Sequence, residues 1–206
     1  MAPRRDVSAE RKTQILDAAL RVFARKGFYE ARMEDIAREA GLSKGLLYWY
    51  FGSKEALIET LLILLFEPDL RDLERLLREP HRPTPERLQE LAQNALSTLL
   101  PYQDLMPIVY EFYALATRPG PVKKAVQQYY RRYRELLSEL LAQGIARHEL
   151  RPDLDPSQTA LALLAQFEGL ILLWVIGPDH VDIERHWHAI TQQSLACLLP
   201  EPEPYP

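Results

Sequence analysis

Between positions 44 and 54 the chain gathers Lys44, Gly45, Leu46, Tyr48, Trp49, Tyr50 and Lys54. These are side chains whose chemistry matches a DNA duplex. A lysine reaches guanine acceptors or a phosphate, a leucine meets a thymine methyl, and a glycine lets the backbone come close to base edges. Tyrosine hydroxyls donate to phosphate oxygens, contacts that position a protein without specifying sequence. Lys54 places charge at the start of a further helix, beside backbone N–H groups that favour phosphate. Each has another use: Tyr48 or Tyr50 could stack on a preceding helix, and Trp49 could be structural.

The element that would present them is legible in the residues around them. Residues 35–51 read as a short helix, a tight turn at Gly41 and a second short helix. Ile36, Ala37, Ala40, Leu42, Leu47 and Phe51 can close into one small core. On a helical wheel Ser43, Leu47 and Phe51 share the inward side, while Gly45 and Trp49 lie opposite, flanked by Lys44, Tyr48, Leu46 and Tyr50. That is the layout of a helix-turn-helix, which lays one helix in the major groove. An ordinary surface hairpin of helices would share the same spacing.

The flanks extend the pattern. Residues 8–26 form a helix with Ser8 as N-cap, an apolar stripe of Ile15, Ala18, Ala19, Val22 and Phe23, and a stop at Lys26-Gly27. Residues 33–40 and 43–51 supply the next two helices, and Ser53 caps a fourth that runs to about residue 66, where Pro68 breaks or bends it. Across residues 8–57 the chain resembles the TetR family of transcriptional regulators. The matching residues are Ile15, Ala18, Ala19, Phe23, Gly27, Phe28, Met33, Asp35-Ile36-Ala37, Ala40-Gly41-Leu42-Ser43, Gly45, Leu47-Tyr48, Phe51 and Ser53-Lys54-Glu55-Ala56-Leu57. The resemblance implies DNA contacts at Lys44, Gly45, Leu46, Tyr48, Tyr50 and Lys54, and Ser43 and Trp49 are expected to join that DNA-binding set. One departure stands out. The family carries Thr or Ser where this chain has Ala31-Arg32, so the second helix lacks its cap, and Arg32 is expected to supply the phosphate contact.

Charge agrees with that placement. The 206 residues carry a net −4, but residues 1–54 hold 11 Lys and Arg against 7 Asp and Glu, leaving −8 for the remainder. Attraction to phosphate is therefore local. Arg4 and Arg5 are either a minor-groove arm or a solvated start. No apolar segment follows the N-terminal arginines, and the most apolar run, residues 160–176, contains Gln166 and Glu168 and falls short of a membrane span. The single Cys197 cannot form an internal disulfide, which fits the cytoplasm. No membrane partner is expected.

The rest of the chain is expected to be helical: residues 84–100 opened by Thr84-Pro85, 104–117, 122–148, 156–176 after Asp155, and 182–199. No strand pattern and no repeat is visible. The fold expectation is all-α, with a three-helix DNA-binding domain over 1–53, a helical-bundle ligand-binding and dimerisation domain over 54–199, and a disordered tail over 200–206.

Two features mark that second domain. Residues 160–176 are apolar nearly all round, so that helix must be buried on more than one face. Pairing of two chains would do this, and the resemblance implies a homodimer through the last two helices, with Leu164, Leu173, Trp174, Trp187 and Ile190 at the interface; burial within one chain is the alternative. Aromatic side chains also collect on the middle helices. Tyr110, Tyr113, Tyr129, Tyr133 and Phe167 would line a pocket for a small hydrophobic or aromatic effector, or else fill a plain core; tyrosine hydroxyls need partners there. Glu111 and Glu168 would attract a cationic ligand or pair with arginines. Lys123, Lys124, Arg131, Arg132 and Arg134 are either an anion site or a solvated face. Enzyme signals are absent: His186-Trp187-His188 lacks the i, i+4 spacing that shares a metal, and no phosphate loop or nucleophile with a partner is visible. No cofactor and no metal is expected. The expectation is a regulator, most simply a repressor, that binds a near-palindromic double-stranded DNA operator; a helical binding or scaffolding protein is the other class.

Overall fold

The structure, a computed structural model, describes residues 7–200. Arg4, Arg5 and, beyond Pro200, the C-terminal tail lie outside the described residues. Among these the backbone forms nine α-helices and no strand: α1 Val7–Glu30, α2 Met33–Glu39, α3 Lys44–Tyr50, α4 Lys54–Leu77, α5 Thr84–Leu99, α6 Met106–Ala116, α7 Pro121–Ala146, α8 Pro156–Ile176 and α9 Ile183–Leu198, with a 3-10 turn at Leu100–Leu105. Asp155 and Asp182 cap α8 and α9 through their carboxylates, which accept from the N–H groups of Gln158 and Arg185.

Several boundaries differ from the sequence expectation. Ser8 lies inside the first turn of α1. Thr84 is the first residue of α5 rather than its cap, because Pro83 takes that place and the Thr84 hydroxyl accepts from Arg87 and Arg147. Residues 100–105 wind as a 3-10 turn. Pro68 does not end α4, which continues to Leu77. Proline deletes one backbone bond and strains the preceding turn, a cost of about 3 kcal/mol. Phe66, Leu73 and Leu76 are buried around it, and at about 1.5–3 kcal/mol for each large apolar side chain their burial offsets that cost.

The chain divides into two compact units, the first Met1–Leu65 with Asp104–Gln128, the second Phe66–Gln103 with Tyr129–Pro206. In the first, α1 packs on α2 and α6. Its stripe Ile15, Ala18, Ala19, Val22 and Phe23 is buried as the spacing predicts, and Phe23 meets Phe112 edge to face at 5.6 Å. Gly27 interrupts α1 with φ 71° and ψ 169°, a conformation that suits glycine. The Glu111 carboxylate then accepts from the Phe28 N–H at 2.8 Å.

The core of the second unit is leucine-rich: Leu73, Leu76, Leu88, Leu91, Leu136, Leu137, Leu140, Leu141, Leu150 and Leu198. Arg87 is buried among these helices, donating to the Leu76 carbonyl, Gln143 and Thr84. The Trp187 indole N–H donates to the Ala92 carbonyl at 2.8 Å, fixing α9 on α5.

Candidate nucleic-acid interface and aromatic-acidic cluster

The turn between α2 and α3 is built by Gly41. At φ 65° it sends its own N–H to the Arg38 carbonyl and that of Leu42 to the Ala37 carbonyl, closing the end of α2 and reversing the chain. Ser43 caps α3, its hydroxyl oxygen accepting from the Leu46 N–H at 3.2 Å. Leu47 and Phe51 are buried, which turns the other face outward. Lys44, Gly45, Leu46, Tyr48 and Trp49 are exposed, Trp49 by 73%, and Tyr50 is half-buried against it, the rings 4.6 Å apart. Among the described residues neither tyrosine stacks on α1; Tyr48 lies 5.7 Å under the Lys44 ammonium.

Acidic residues hold this cationic surface in place. Lys44 pairs with Glu34, which keeps the carboxyl below the usual carboxylate range and raises the lysine. Glu39 accepts from Arg25 at 2.6 Å and Arg21 at 2.8 Å, and Asp35 pairs with Lys26 at 2.9 Å; both carboxyls are held low by those hydrogen bonds. Arg32 stands at the N-cap of α2 with no side-chain capping bond, as its type dictates, and is exposed. The Asp35 carboxylate accepts its N–H instead at 3.2 Å. Lys54 differs from expectation. Its ammonium donates to the carbonyls of Phe28, Ala31 and Tyr29 at 2.7, 2.6 and 3.4 Å and lies over the Phe28 ring. Three protons on three carbonyls leave none for a phosphate in this arrangement.

Of the five aromatic residues assigned to an effector pocket, Tyr110 and Tyr113 belong to the first unit and Tyr129, Tyr133 and Phe167 to the second. Tyr110 and Tyr113 touch each other in the first unit, rings 5.5 Å apart. Phe167 packs on Trp187 at 4.6 Å. Tyr129 and Tyr133 do meet, at 5.8 Å, and Phe66 stacks on Tyr129 at 3.8 Å with the planes 11° apart. Beside them lies Asp69, passed over in the sequence although it follows Phe66 by one helical turn. Its carboxylate accepts from the Tyr129 hydroxyl at 3.4 Å. Burial, with Asp72 and Glu168 nearby, pushes its carboxyl up to about 6. Burial likewise raises Glu168, against a hydrogen bond from Tyr130, and raises the Tyr133 phenol.

Of the residues expected at a subunit interface, Leu173 is 60% exposed and Leu164 and Ile190 are half-buried. Trp174 and Trp187 are instead buried within the chain; the indole of Trp187 is satisfied by Ala92 and both rings are covered by their own subunit. At 21 residues α8 exceeds the apolar run read from sequence, and by length and composition alone it is long enough to cross a membrane. Its exposed Leu161, Leu172, Leu173 and Ile176 form an uncovered apolar face. No group of three or more His, Cys, Asp or Glu that could hold a metal occurs among the described residues.

A capped three-helix head with an outward basic and aromatic helix, joined to a helical domain, defines a helix-turn-helix transcriptional regulator. The profile of bacterial regulatory proteins of the tetR family matches residues 15–61, and that of the BetI-type transcriptional repressor C-terminal domain matches residues 84–199. The chain belongs to the TetR family of DNA-binding, ligand-binding transcriptional regulators. It is 26% identical over 183 residues to the transcriptional regulator TtgR of Pseudomonas putida, covering 87% of each chain. In fold it resembles SmeT, the repressor of the Stenotrophomonas maltophilia multidrug efflux pump SmeDEF, with TM-score 0.80 at 22% identity over 95% of this chain and 97% of that one. It also resembles the regulator FadR of Bacillus subtilis, solved with stearoyl-CoA, with TM-score 0.73 at 21% identity over 90% and 98%.

Proposed function

We propose that this regulator is a repressor that binds a near-palindromic operator as a homodimer and is released by a small, largely hydrophobic or aromatic molecule. The observation that carries the DNA-binding half is the outward face of α3, where Lys44, Gly45, Leu46, Tyr48 and Trp49 stand exposed above a buried Leu47. Lys44 and Leu46 read bases; Tyr48, Tyr50 and Arg32 hold phosphates. The uncovered apolar face of α8 supports pairing of two chains, which would bury it without lipid, and a cytoplasmic location fits DNA binding. SmeT is a named repressor and has been solved with triclosan; those properties belong to SmeT, and the shared fold supports effector release here. Such a release needs the effector to favour one arrangement of the protein by about 1–3 kcal/mol, which weakens operator binding roughly 5–150-fold.

The test is binding of the DNA upstream of the protein's own gene against random duplex, by fluorescence anisotropy at several salt concentrations. Lys44→Ala is expected to weaken both, to lower the salt slope by about one unit and to relax preference at some operator positions. Glu34→Gln frees Lys44 from its partner and is expected to tighten binding to any duplex. If Lys44→Ala binds operator and random DNA as the parent does, α3 is not the reading helix.

A further inference from the structure

The reading face carries one group that phosphate attraction does not explain, a carboxylate. Glu34, in the first turn of α2, is exposed and pairs directly with Lys44, the first residue of α3. The two other acids of α2 have structural uses. Asp35 accepts from the Arg32 N–H and pairs with Lys26, and Glu39 holds Arg21 and Arg25. Their side chains are 15% and 24% exposed, whereas Glu34 keeps 46% of its surface and Lys44 59%. The hydrogen bond from Lys44 holds the Glu34 carboxyl below the usual carboxylate range, and the charge of Arg32 adds to the effect. Glu34 therefore meets a duplex ionised, as an acceptor only.

An ionised carboxylate beside a duplex is repelled by the phosphates whatever the sequence. An ion pair this exposed adds little to stability. Neither affinity nor stability accounts for Glu34, but base recognition does. Lys44 offers donors, and Glu34, in hydrogen-bond contact with it, offers an acceptor. The major-groove edge of a G·C pair has the complementary layout. Guanine O6 and N7 accept, cytosine N4 donates, and O6 and N4 are themselves one hydrogen bond, about 3 Å, apart. An ammonium on guanine thus leaves the carboxylate beside the cytosine amino group. An A·T pair sets its acceptors on either side of the adenine N6 donor, so the ammonium would reach only one of them. Exchanging guanine and cytosine would put a donor under the ammonium.

We propose that Glu34 is a specificity-determining residue that reads one G·C base pair of the operator together with Lys44, the lysine on guanine O6 and N7 and the glutamate accepting from cytosine N4. The inference rests on the reading of α3 as the recognition helix and deepens it by naming the base pair.

The test begins with a pool of duplexes of random sequence, enriched on the full chain and sequenced for the parent, Glu34→Ala and Lys44→Ala. The parent is expected to hold a G·C position that both variants lose, with the preferences at other positions kept. Glu34→Ala is expected also to bind random duplex more tightly, because a repelled charge is gone. Helical circular dichroism checks that both variants fold. The enriched duplex is then made with N4-methylcytosine at that position, which still pairs with guanine but carries a methyl group where the free amino proton stood. Fluorescence anisotropy is expected to show the parent binding it about tenfold more weakly, the size of one lost base contact. Glu34→Ala is expected to bind methylated and unmethylated duplex alike. A parent indifferent to the methyl group at every cytosine of the enriched duplex overturns the inference, and needs no variant to do so. Equal methyl sensitivity in Glu34→Ala overturns it as well, since the methyl group then clashes elsewhere, and so does a Glu34→Ala preference identical to the parent's. Failure of the underlying reading looks different: Lys44→Ala then keeps every preference of the parent.

Discussion

Lys54 Nζ lies 2.6 Å from the Ala31 carbonyl oxygen, and through it the start of α4 is tied to the chain just ahead of α2. The same ammonium holds the Phe28 carbonyl, whose residue also gives its N–H to Glu111. Lys54 is thus a brace between the start of α4 and the end of α1. Lys54→Met keeps the stem and removes the donors. It is expected to lower the stability of the head by about 1–3 kcal/mol, the usual cost of stranding part-buried acceptors. The slope of log affinity against log salt should stay at the parent value. A slope lower by about one unit, with stability unchanged, would mean that the lysine leaves its carbonyls for a phosphate.

Much of the head was legible because its signals are local. Gly41 needs positive φ, Ser43 is a capping type, and the apolar spacing on either side leaves one outward face. The effector region was less legible because its contacts join residues far apart in sequence. Phe167 could be counted as aromatic, but nothing local says that it lies against Trp187. Trp187 could be counted as apolar, but its inward direction depends on Ala92, 95 residues away. Pro68 is a helix breaker by type, and only the burial of Leu73 and Leu76 beyond it explains why α4 goes on. Asp69 was hidden because a carboxylate on a helix ordinarily faces water.

Pairing of two chains is tested at Leu173, which is exposed on the apolar face of α8. Leu173→Glu would bury an unpaired carboxylate in such an interface, at a cost of several kcal/mol. Light scattering at micromolar concentration should find the parent dimeric and the variant monomeric or strongly shifted towards monomer. A parent that is monomeric there removes the homodimer.

Gly144 gives a prediction whose sign the sequence alone would get wrong. In the interior of α7, alanine is preferred over glycine by about 1 kcal/mol. A Cβ at this position, however, would lie 2.8 Å from Leu150 Cδ1 and 2.9 Å from Thr84 Cγ2. Thr84 cannot move cheaply, because its hydroxyl accepts from both Arg87 and Arg147. Overpacking costs about 1–3 kcal/mol, so Gly144→Ala is expected to be net destabilising in urea unfolding. A variant more stable than the parent would show that Leu150 yields freely.

The raised carboxyl of Asp69 fixes the direction of a pH effect. Its folded value is about 6 against an ordinary aspartate value of 3.8. The folded state therefore holds the proton more tightly than the unfolded chain does. Above pH 6 both states are ionised and the full penalty of the desolvated carboxylate falls on the folded state. Between pH 6 and pH 4 that penalty fades, and below pH 4 it is gone. Two pH units correspond to about 3 kcal/mol, an upper figure because the group keeps some contact with water. Glu168 shifts in the same direction and adds to the effect. Elsewhere, Glu39, Asp35 and Glu90 are held low by arginine and lysine partners, so their contribution is lost as pH falls, the opposite sign. The difference between parent and Asp69→Asn isolates the one group. In urea unfolding from pH 4 to pH 8, Asp69→Asn is expected to be the more stable at pH 7–8, with its advantage shrinking to nothing by pH 4. Identical profiles would mean that Asp69 is fully solvated in the folded protein.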